Sequence, residues 1–172
     1  LAISPLLTGH PVSLAVLDYG LFKVHSNGRI IGICGYLIGT SADEYVLIDS
    51  GFPRKYAHDF AAASTEDRLY EFGEVLVCGP GNLPEAQLAR CGVDPDAIDL
   101  VIQTHTHIDH IGGIADFTQA PMLIAAAERA LPRPLYWGGV QPLQWPDRQY
   151  VILDEDCDIG PGFRVMLAPG HA

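Results

Sequence analysis

The sequence has little positive charge: 10 Lys and Arg residues stand against 21 Asp and Glu residues, which gives a formal net charge of −11. Proteins that bind nucleic acids hold the phosphate backbone with clustered Lys and Arg. We therefore expect no nucleic-acid partner. The net charge does not describe an active site, because a bound metal ion can be the largest local charge inside an acidic protein.

Cysteine is scarce as well. The four cysteines form neither a CxxC pair nor the spacing of a zinc ribbon; they are Cys34, Cys78, Cys91 and Cys157. Four in 172 residues is far below the density of a disulfide scaffold. The sequence therefore predicts buried free thiols.

Long uninterrupted apolar runs are missing. The opening stretch LAISPLLTGHPVSLAVL is fairly apolar, but it lacks a basic start and is interrupted by Pro5, Gly9 and Pro11. It resembles neither a signal peptide nor a membrane span. We therefore expect no membrane partner and a cytoplasmic location. The first residue is Leu1 rather than methionine, which indicates a trimmed start.

What the sequence does contain is enough apolar material for one packed domain. Of its 172 residues 48% are hydrophobic, and a chain of this length buries about 70% of the surface that its unfolded form exposes. Three β-rich runs separated by turn residues predict consecutive antiparallel strands over 12–24, 29–39 and 44–49. Helical and strand patterns then alternate, which predicts a mixed α/β layered domain.

Two later segments are well defined. NLPEAQLARCG predicts a helix in which Asn82 caps the start, Pro84 lies in the first turn and Gly92 closes the end. DPDAIDLVIQTH follows, and its near-continuous apolar run over 98–102 is typical of a strand buried on both faces. That strand brings Thr104 and His105 to its carboxyl end, where open α/β sheets bind their ligands.

The stretch THTHIDHIGG, residues 104–113, contains three of the seven histidines. Because side chains alternate in an extended chain, His105 and His107 project to the same side and can bind one metal. Asp109 and His110 follow where we expect a helix to begin at DHIGG, and they can reach a second metal. Imidazole and carboxylate are ligands that zinc accepts.

The alternative is that these histidines are solvated loop residues. That interpretation suits isolated histidines such as His10, His25 and His58. It does not suit three histidines and an aspartate in fixed alternation after a buried strand, because protonated rings would repel one another there.

The motif His105-x-His107-x-Asp109-His110 resembles the HxHxDH signature of the metallo-β-lactamase superfamily. LIDSG at 47–51 is similar to that family's Asp-Thr-Gly element, and LAPGHA at 167–172 is similar to its Pro-Gly-His turn. The resemblance implies an αββα sandwich with mixed sheets. It also implies that His105, His107 and His171 hold one metal and that Asp109 and His110 hold a second.

The resemblance also assigns a supporting role to Asp49, which would orient a ligand or the metal-bound water; the alternative is that it caps the turn at Ser50 and Gly51. The family has a bridging aspartate and a further histidine beyond the Pro-Gly-His turn. We therefore expect residues 1–172 to form a single domain of this type whose C-terminal half is missing, with the first metal site complete and the second incomplete.

The reaction implied is hydrolysis by a metal-bound hydroxide, with Asp109 accepting a proton. The sequence has no GxSxG motif and no cysteine in a catalytic motif, so no other nucleophile is evident. The metal is expected to be Zn²⁺, two per complete site, although Mn, Fe or Co also suit His and Asp ligands.

ADFTQAPMLIAAAERAL and GPGFRVMLAPGHA are similar to the N-acyl homoserine lactonase branch, which implies a small-molecule lactone substrate and quorum quenching. Tyr136, Trp137 and Trp145 either line an acyl-chain pocket or pack their loop onto the core.

A thioester hydrolase of the glyoxalase II kind and a non-catalytic metal-binding member remain alternatives. Oxygen-reducing diiron relatives have Glu in place of His107 and are disfavoured. The sequence does not determine the oligomeric state.

Overall fold

The computed structural model of the protein describes residues 5–172. In that range the strands are β1 (Pro11–Val24), β2 (Ile30–Thr40), β3 (Tyr45–Ile48), β4 (Gly73–Val77), β5 (Ile98–Gln103), β6 (Met122–Ala125), β7 (Tyr150–Leu153), β8 (Cys157–Gly160) and β9 (Phe163–Val165). The helices are α1 (Arg54–Glu66), α2 (Pro84–Arg90) and α3 (Ala126–Arg129).

Seven strands form one mixed sheet in the order β4-β1-β2-β3-β5-β6-β7, and β8 pairs with β9 in a separate hairpin. The first three strands are antiparallel, as predicted, whereas β3, β5, β6 and β7 run parallel to one another. The predicted mixed α/β fold class is confirmed. In the parallel pair, Ile48 lies opposite Ile102, so the residues that follow β3 and β5 are neighbours.

The two faces of the sheet pack differently because successive side chains of a strand point to opposite faces. Leu47, Val101 and Met122 belong to the main core, whereas their neighbours Val46, Leu100 and Leu123 form a smaller core with Leu7, Ile159 and Phe163. Away from that smaller core the second face is open. On β1 the side chains of Val12, Leu14 and Val16 are 61%, 65% and 65% exposed.

Helix α2 forms where the sequence predicts it. Pro84 occupies its first turn, and Gly92 follows its end with a φ of 72°, a conformation that glycine adopts without strain. The residue at the start is Leu83, because the side chain of Asn82 accepts a hydrogen bond from Gly79 instead. None of the helices in residues 5–172 is long and apolar enough to cross a membrane.

The predicted helix at DHIGG is wrong. Residues 109–117 form turns: Ile114 N donates to Ile111 O and Asp116 N to Gly113 O, three residues back, while other backbone groups of this stretch are paired with the segment that follows β3. The carbonyl of His110 accepts from Ser50 N at 2.9 Å, and Gly112 N donates to Gly51 O at 2.7 Å. We call residues 104–113 the histidine loop.

The prediction of free thiols is confirmed for all four cysteines, and the prediction that they are buried holds only for Cys78. Cys34 and Cys157 are half-buried, and Cys91 is exposed just after α2. Burial raises the pKa of Cys78 to about 11, so this thiol stays protonated at neutral pH.

Candidate metal centre

The structure brings His105, His107 and His171 together. The centroids of the three rings are 4.8, 4.9 and 4.8 Å apart, and the ring planes are nearly perpendicular to one another. One nitrogen from each ring lies within 4.8 Å of the other two, and Nδ1 of His107 is 3.2 Å from Nε2 of His171. Ligand nitrogens about 2.0–2.1 Å from a tetrahedral zinc ion are roughly 3.3 Å apart. The spacing therefore suits a shared metal ion.

The hydrogen bonds of His105 determine which of its nitrogens is free. The hydroxyl of Thr104 donates to Asp49 Oδ2 at 2.7 Å, so its oxygen accepts from Nδ1 of His105, 3.0 Å away. The Nε2 atom of His105 is buried and has no hydrogen-bond partner. An unpaired buried nitrogen is costly in a protein interior, and a metal ion would satisfy its lone pair. The residues present therefore fit a metal.

The buried carboxylate of Asp49 holds several residues of the histidine loop in place. It accepts from the backbone N of Thr104 at 2.9 Å and from Nδ1 of His110 at 2.9 Å. The residue is 4% exposed and has a φ of 60°, which is unusual for a residue other than glycine. In the described residues its side-chain bonds run to residues 103–110, not to the turn at Ser50 and Gly51.

The pKa values indicate neutral imidazoles where a metal would bind. Burial, together with the nearby rings of His110 and His107, lowers the pKa of His105 to about 4. Burial and the neighbouring His171 also lower the pKa of His107. Neutral imidazole is the form that binds a metal, so both rings are ready to do so at neutral pH.

Asp109 and His110 lie beside the three-histidine group. The rings of His105 and His110 have centroids 4.1 Å apart, and His110 Nε2 is 3.5 Å from Asp109 Oδ2. Burial lowers the pKa of His110, but the hydrogen bond to Asp49 and the charge of Asp109 outweigh it, so the pKa is raised overall. With Nδ1 bonded to Asp49, the Nε2 atom of His110 faces Asp109.

Two glycines allow the histidine loop to lie directly against the end of β3. A Cβ at Gly112 would overlap the backbone of Phe52, and one at Gly113 would lie 2.9 Å from the Cβ of Ser50. The hydroxyl of Ser50 then accepts from Gly113 N at 3.0 Å.

An apolar cavity of about 170 Å³ adjoins the histidines. It is lined by Phe22, Ile31, Phe52, Leu69, Phe72, His107, Ile108, Asp109, Trp137 and His171. A larger cavity of about 570 Å³ lies along the ends of β5 and β6 and residues 165–172, and it also reaches His105 and His171. Both cavities therefore give access to the same ring cluster.

Of the three aromatic residues proposed for a substrate pocket, Trp137 lines the smaller cavity, with its ring 4.7 Å from that of Phe72. Tyr136 does not, because its side chain is completely buried and its hydroxyl donates to Asp67. Trp145 packs against Tyr150 and donates to Leu131 O. These two side chains therefore hold the loop onto the core, which is the alternative interpretation.

Two supporting residues of this centre had no predicted role: Gln103, and Thr104, which the sequence placed only at the carboxyl end of the strand. Thr104 connects Asp49 to His105, and the amide nitrogen of Gln103 contacts His105 O at 2.6 Å and His110 O at 3.0 Å. Both immediately precede the HxHxDH motif, and a polar pair at the end of an apolar strand was the available signal. Gln103 is 2% exposed, which that pattern alone does not reveal.

The profile of the metallo-beta-lactamase superfamily matches residues 35–172. The chain belongs to this superfamily. Membership implies binding of a divalent metal, in agreement with the cluster of three histidines. The predicted resemblance to the superfamily is confirmed.

Relatives of this superfamily member include an N-acyl homoserine lactonase from Bacillus thuringiensis, 33% identical over 143 residues, which covers 80% of this chain and 53% of the relative. The predicted resemblance to the lactonase branch is thereby confirmed. The chain spans about half the length of the curated relatives it matches.

Solved structures of the superfamily share the fold. A Bacillus thuringiensis AiiA variant with N-decanoyl-L-homoserine bound at the active site matches with a TM-score of 0.72 and 22% identity, over 96% of this chain and 68% of that one. An N-acyl homoserine lactone hydrolase with N-hexanoyl-L-homoserine at its catalytic metal centre matches with a TM-score of 0.71, 22% identity and the same coverage. The metallo-β-lactamase fold is thereby confirmed for this chain.

Proposed function

We propose that the full-length protein containing this chain is a metal-dependent hydrolase that opens the lactone ring of N-acyl homoserine lactones. The observation that carries the proposal is the convergence of His105, His107 and His171, with Nε2 of His105 buried and unpaired. Similarity to N-acyl homoserine lactonases supports the choice of substrate class.

His105, His107 and His171 would hold the first divalent metal, zinc by preference and otherwise manganese, iron or cobalt. When bound, such a metal polarises a carbonyl oxygen and lowers the pKa of a coordinated water, so that hydrolysis needs no nucleophilic side chain. Asp49 and Thr104 would keep the proton on Nδ1 of His105 and leave Nε2 free. This is how partners of metal ligands commonly fix a histidine's tautomer.

Asp109 and His110 would take part in two ways. His110, whose Nδ1 is bonded to Asp49, presents Nε2 towards Asp109 and would bind a second metal together with it. Asp109 also lines the cavity beside His107 and His171, where its carboxylate can accept a proton from the attacking water and pass it to the alkoxide oxygen that leaves as the ring opens. Completion of a second site by residues outside the given sequence stays a prediction.

The apolar cavity beside the histidines suits the acyl chain of such a substrate. Phe22, Phe52, Phe72 and Trp137 are among its apolar lining residues, and His107, Asp109 and His171 supply its polar lining. An acyl chain seated among the aromatic rings would place its amide and lactone end next to the histidines. The cavity walls would also keep bulk water away from the reacting carbonyl.

The test measures ring opening by the purified full-length protein, loaded with zinc, on N-butanoyl and N-decanoyl homoserine lactone and on a glutathione thioester. We expect lactone turnover that is lost on chelation and in His107→Ala. The exposed His58→Ala is the matched control and should keep it.

Two outcomes would contradict the proposal. Thioester turnover without lactone turnover would favour the glyoxalase II-like alternative. Bound metal without turnover of any of these substrates would favour a non-catalytic member of the fold.

A further inference from the structure

A buried polar cluster lies where the side chain of Tyr136 meets the end of α1. The carboxylate of Asp67, just after α1, is 1% exposed and accepts three hydrogen bonds. The hydroxyls of Tyr136 and Tyr56 donate to Oδ2 at 2.6 and 2.9 Å, and Lys55 Nζ donates to Oδ1 at 2.8 Å. A buried carboxylate with three donors has its charge well compensated. We call Lys55, Tyr56, Asp67 and Tyr136 the Asp67 cluster.

The backbone of Tyr136 reaches from this cluster to the candidate metal ligand His107. Its N–H donates to the carbonyl of Thr106 at 2.9 Å, and its carbonyl accepts from Ile108 N at 3.0 Å. Tyr136 thus pairs with His107 in an isolated parallel bridge, bonded to the residues on both sides of that histidine. The hydroxyl of Thr106 accepts a third bond, from Leu135 N at 3.0 Å.

Tyr136 also has an uncommon backbone conformation. Its φ is 59°, in the left-handed region that bulky residues seldom occupy. Such a conformation persists only where surrounding interactions hold it. Here its ring is completely buried, its hydroxyl is bonded to Asp67, and both backbone groups are bonded to the histidine loop.

We infer that Tyr136 is a positioning residue for the metal centre. The hydrogen bond from its hydroxyl to Asp67 holds the backbone of Tyr136 in place, and that backbone in turn fixes the position of the His107 ring. This inference rests on the proposed metal-dependent function. The next residue, Trp137, lines the cavity beside His107, so the same anchor also sets one wall of that cavity. Sequence alone gives no sign of the link, because 69 residues separate Tyr136 from Asp67.

Tyr56 offers a matched control. Its hydroxyl donates to the same oxygen of Asp67, and its side chain is also completely buried. Burial, and then the neighbouring Asp67, raise the pKa values of both phenols, which therefore remain hydrogen-bond donors. Tyr56 differs in its backbone, because it lies on α1 and its N–H is bonded to Pro53 O rather than to the histidine loop. Its hydroxyl also lies 3.4 Å from Ala63 O, a second acceptor.

The experiment compares Tyr136→Phe with Tyr56→Phe in the purified full-length protein, using Co²⁺ as the probe. Affinity is measured by competition titration, geometry by the visible absorption spectrum and stability by the urea midpoint. Each substitution removes one hydroxyl from Asp67, so we expect similar decreases in the midpoint. Only Tyr136→Phe should weaken Co²⁺ binding, by about tenfold or more as for other partners of metal ligands, and change the spectrum.

If Tyr136→Phe does not fold, Asp67→Asn is used instead, because an amide oxygen is a weaker acceptor for the Tyr136 hydroxyl. For this variant we expect a smaller loss of Co²⁺ affinity and a changed absorption spectrum. Wild-type affinity and spectrum in the folded variant would overturn the inference, as would an equal loss in Tyr56→Phe. A wild-type protein that binds no Co²⁺ would overturn the proposed function together with it, which distinguishes the two failures.

Discussion

The Nδ1 atom of His107 lies 3.2 Å from the Nε2 atom of His171, although 64 residues separate them in sequence. His107 lies in the loop after β5, and His171 follows β9 near the end of the chain. The histidine loop is bonded to the segment after β3 and to Tyr136, so its position depends on several distant parts of the fold. The site therefore depends on tertiary structure, and substitutions in it test contacts between residues that are far apart in sequence.

Removing His171 should destroy the three-ligand group. Two imidazoles remain in His171→Ala, and we expect Co²⁺ affinity to fall by more than the ten- to hundredfold that loss of a ligand's partner costs. Competition titration measures the change. His10→Ala is the control, because His10 is exposed and its ring contacts Ser41. Affinity unchanged in His171→Ala would show that His171 is not a ligand.

Thr104→Val removes the hydroxyl between Asp49 and His105 while keeping the side-chain shape. His105 Nδ1 then loses its acceptor, both tautomers become accessible, and we expect metal affinity to fall about tenfold. The control is Thr65→Val, in which an exposed hydroxyl bonded to Ala61 O is lost. Equal affinities for the two variants would contradict the role of Thr104 in orienting His105.

Gly112→Ala should destabilise the protein, because its new Cβ would overlap the Phe52 backbone. Overpacking typically costs about 1–3 kcal/mol, and we expect the upper part of that range since backbone cannot rotate away. Urea unfolding measures the free energy. Gly32→Ala, in a strand with open space around the added Cβ, should be nearly neutral. A neutral Gly112→Ala would mean that the loop does not contact the end of β3 so closely.

The pH dependence of stability should report on Glu44. Partial burial acts in the opposite direction, but bonds from the amides of Gly9 and Thr8 and from the Thr40 hydroxyl lower the pKa of Glu44 from 4.5 to about 2. A carboxyl with a lowered native pKa stabilises the fold above its unfolded pKa, and this contribution is lost as the pH falls through the native value.

We therefore expect Glu44→Gln to lower the free energy of unfolding by about 1 kcal/mol at pH 7, a figure reduced for solvent screening of a partly exposed group. Near pH 2 the difference should largely vanish. Unfolding by urea at both values measures it, with the exposed Glu74→Gln as control. A difference that does not change with pH would contradict the lowered pKa.

Trp137→Ala should alter substrate preference if the apolar cavity takes the acyl chain. We expect KM for N-decanoyl homoserine lactone to rise several-fold, because a buried aromatic contact is lost, whereas KM for the N-butanoyl substrate should change little. Trp145→Ala, in the same loop but packed on Tyr150 and Arg129, is the matched control. Equal effects on both substrates would place the acyl chain elsewhere.

Much of the fold was predictable, because strands reveal themselves through local pattern. The alternation of apolar and polar residues in β1, β2 and β3 and the apolar run of β5 can each be recognised within a few consecutive residues. The same alternation predicted that His105 and His107 share a side. The end of the histidine loop was mispredicted, since the bonds of Gly112 run to Gly51 and not along its own segment.

The contacts of the supporting residues leave no such local pattern, and the role of Asp49 was predicted only through the family resemblance. Asp49 is next to Thr104 only because β3 and β5 pair in parallel, and Tyr136 meets Asp67 across 69 residues. Neither contact leaves a periodic signal. The burial of Tyr136 was equally hidden, because an aromatic residue in a Pro- and Trp-rich loop looks the same in sequence whether it lines a cavity or anchors the loop.

Diffraction at the zinc absorption edge from crystals of the zinc-loaded full-length protein tests the central claim most directly. The account predicts an anomalous peak about 2.0–2.1 Å from one nitrogen of each of His105, His107 and His171, with Nε2 as the atom contributed by His105. A zinc peak held by other residues, or a His171 ring turned away from the other two with no peak between them, would contradict it.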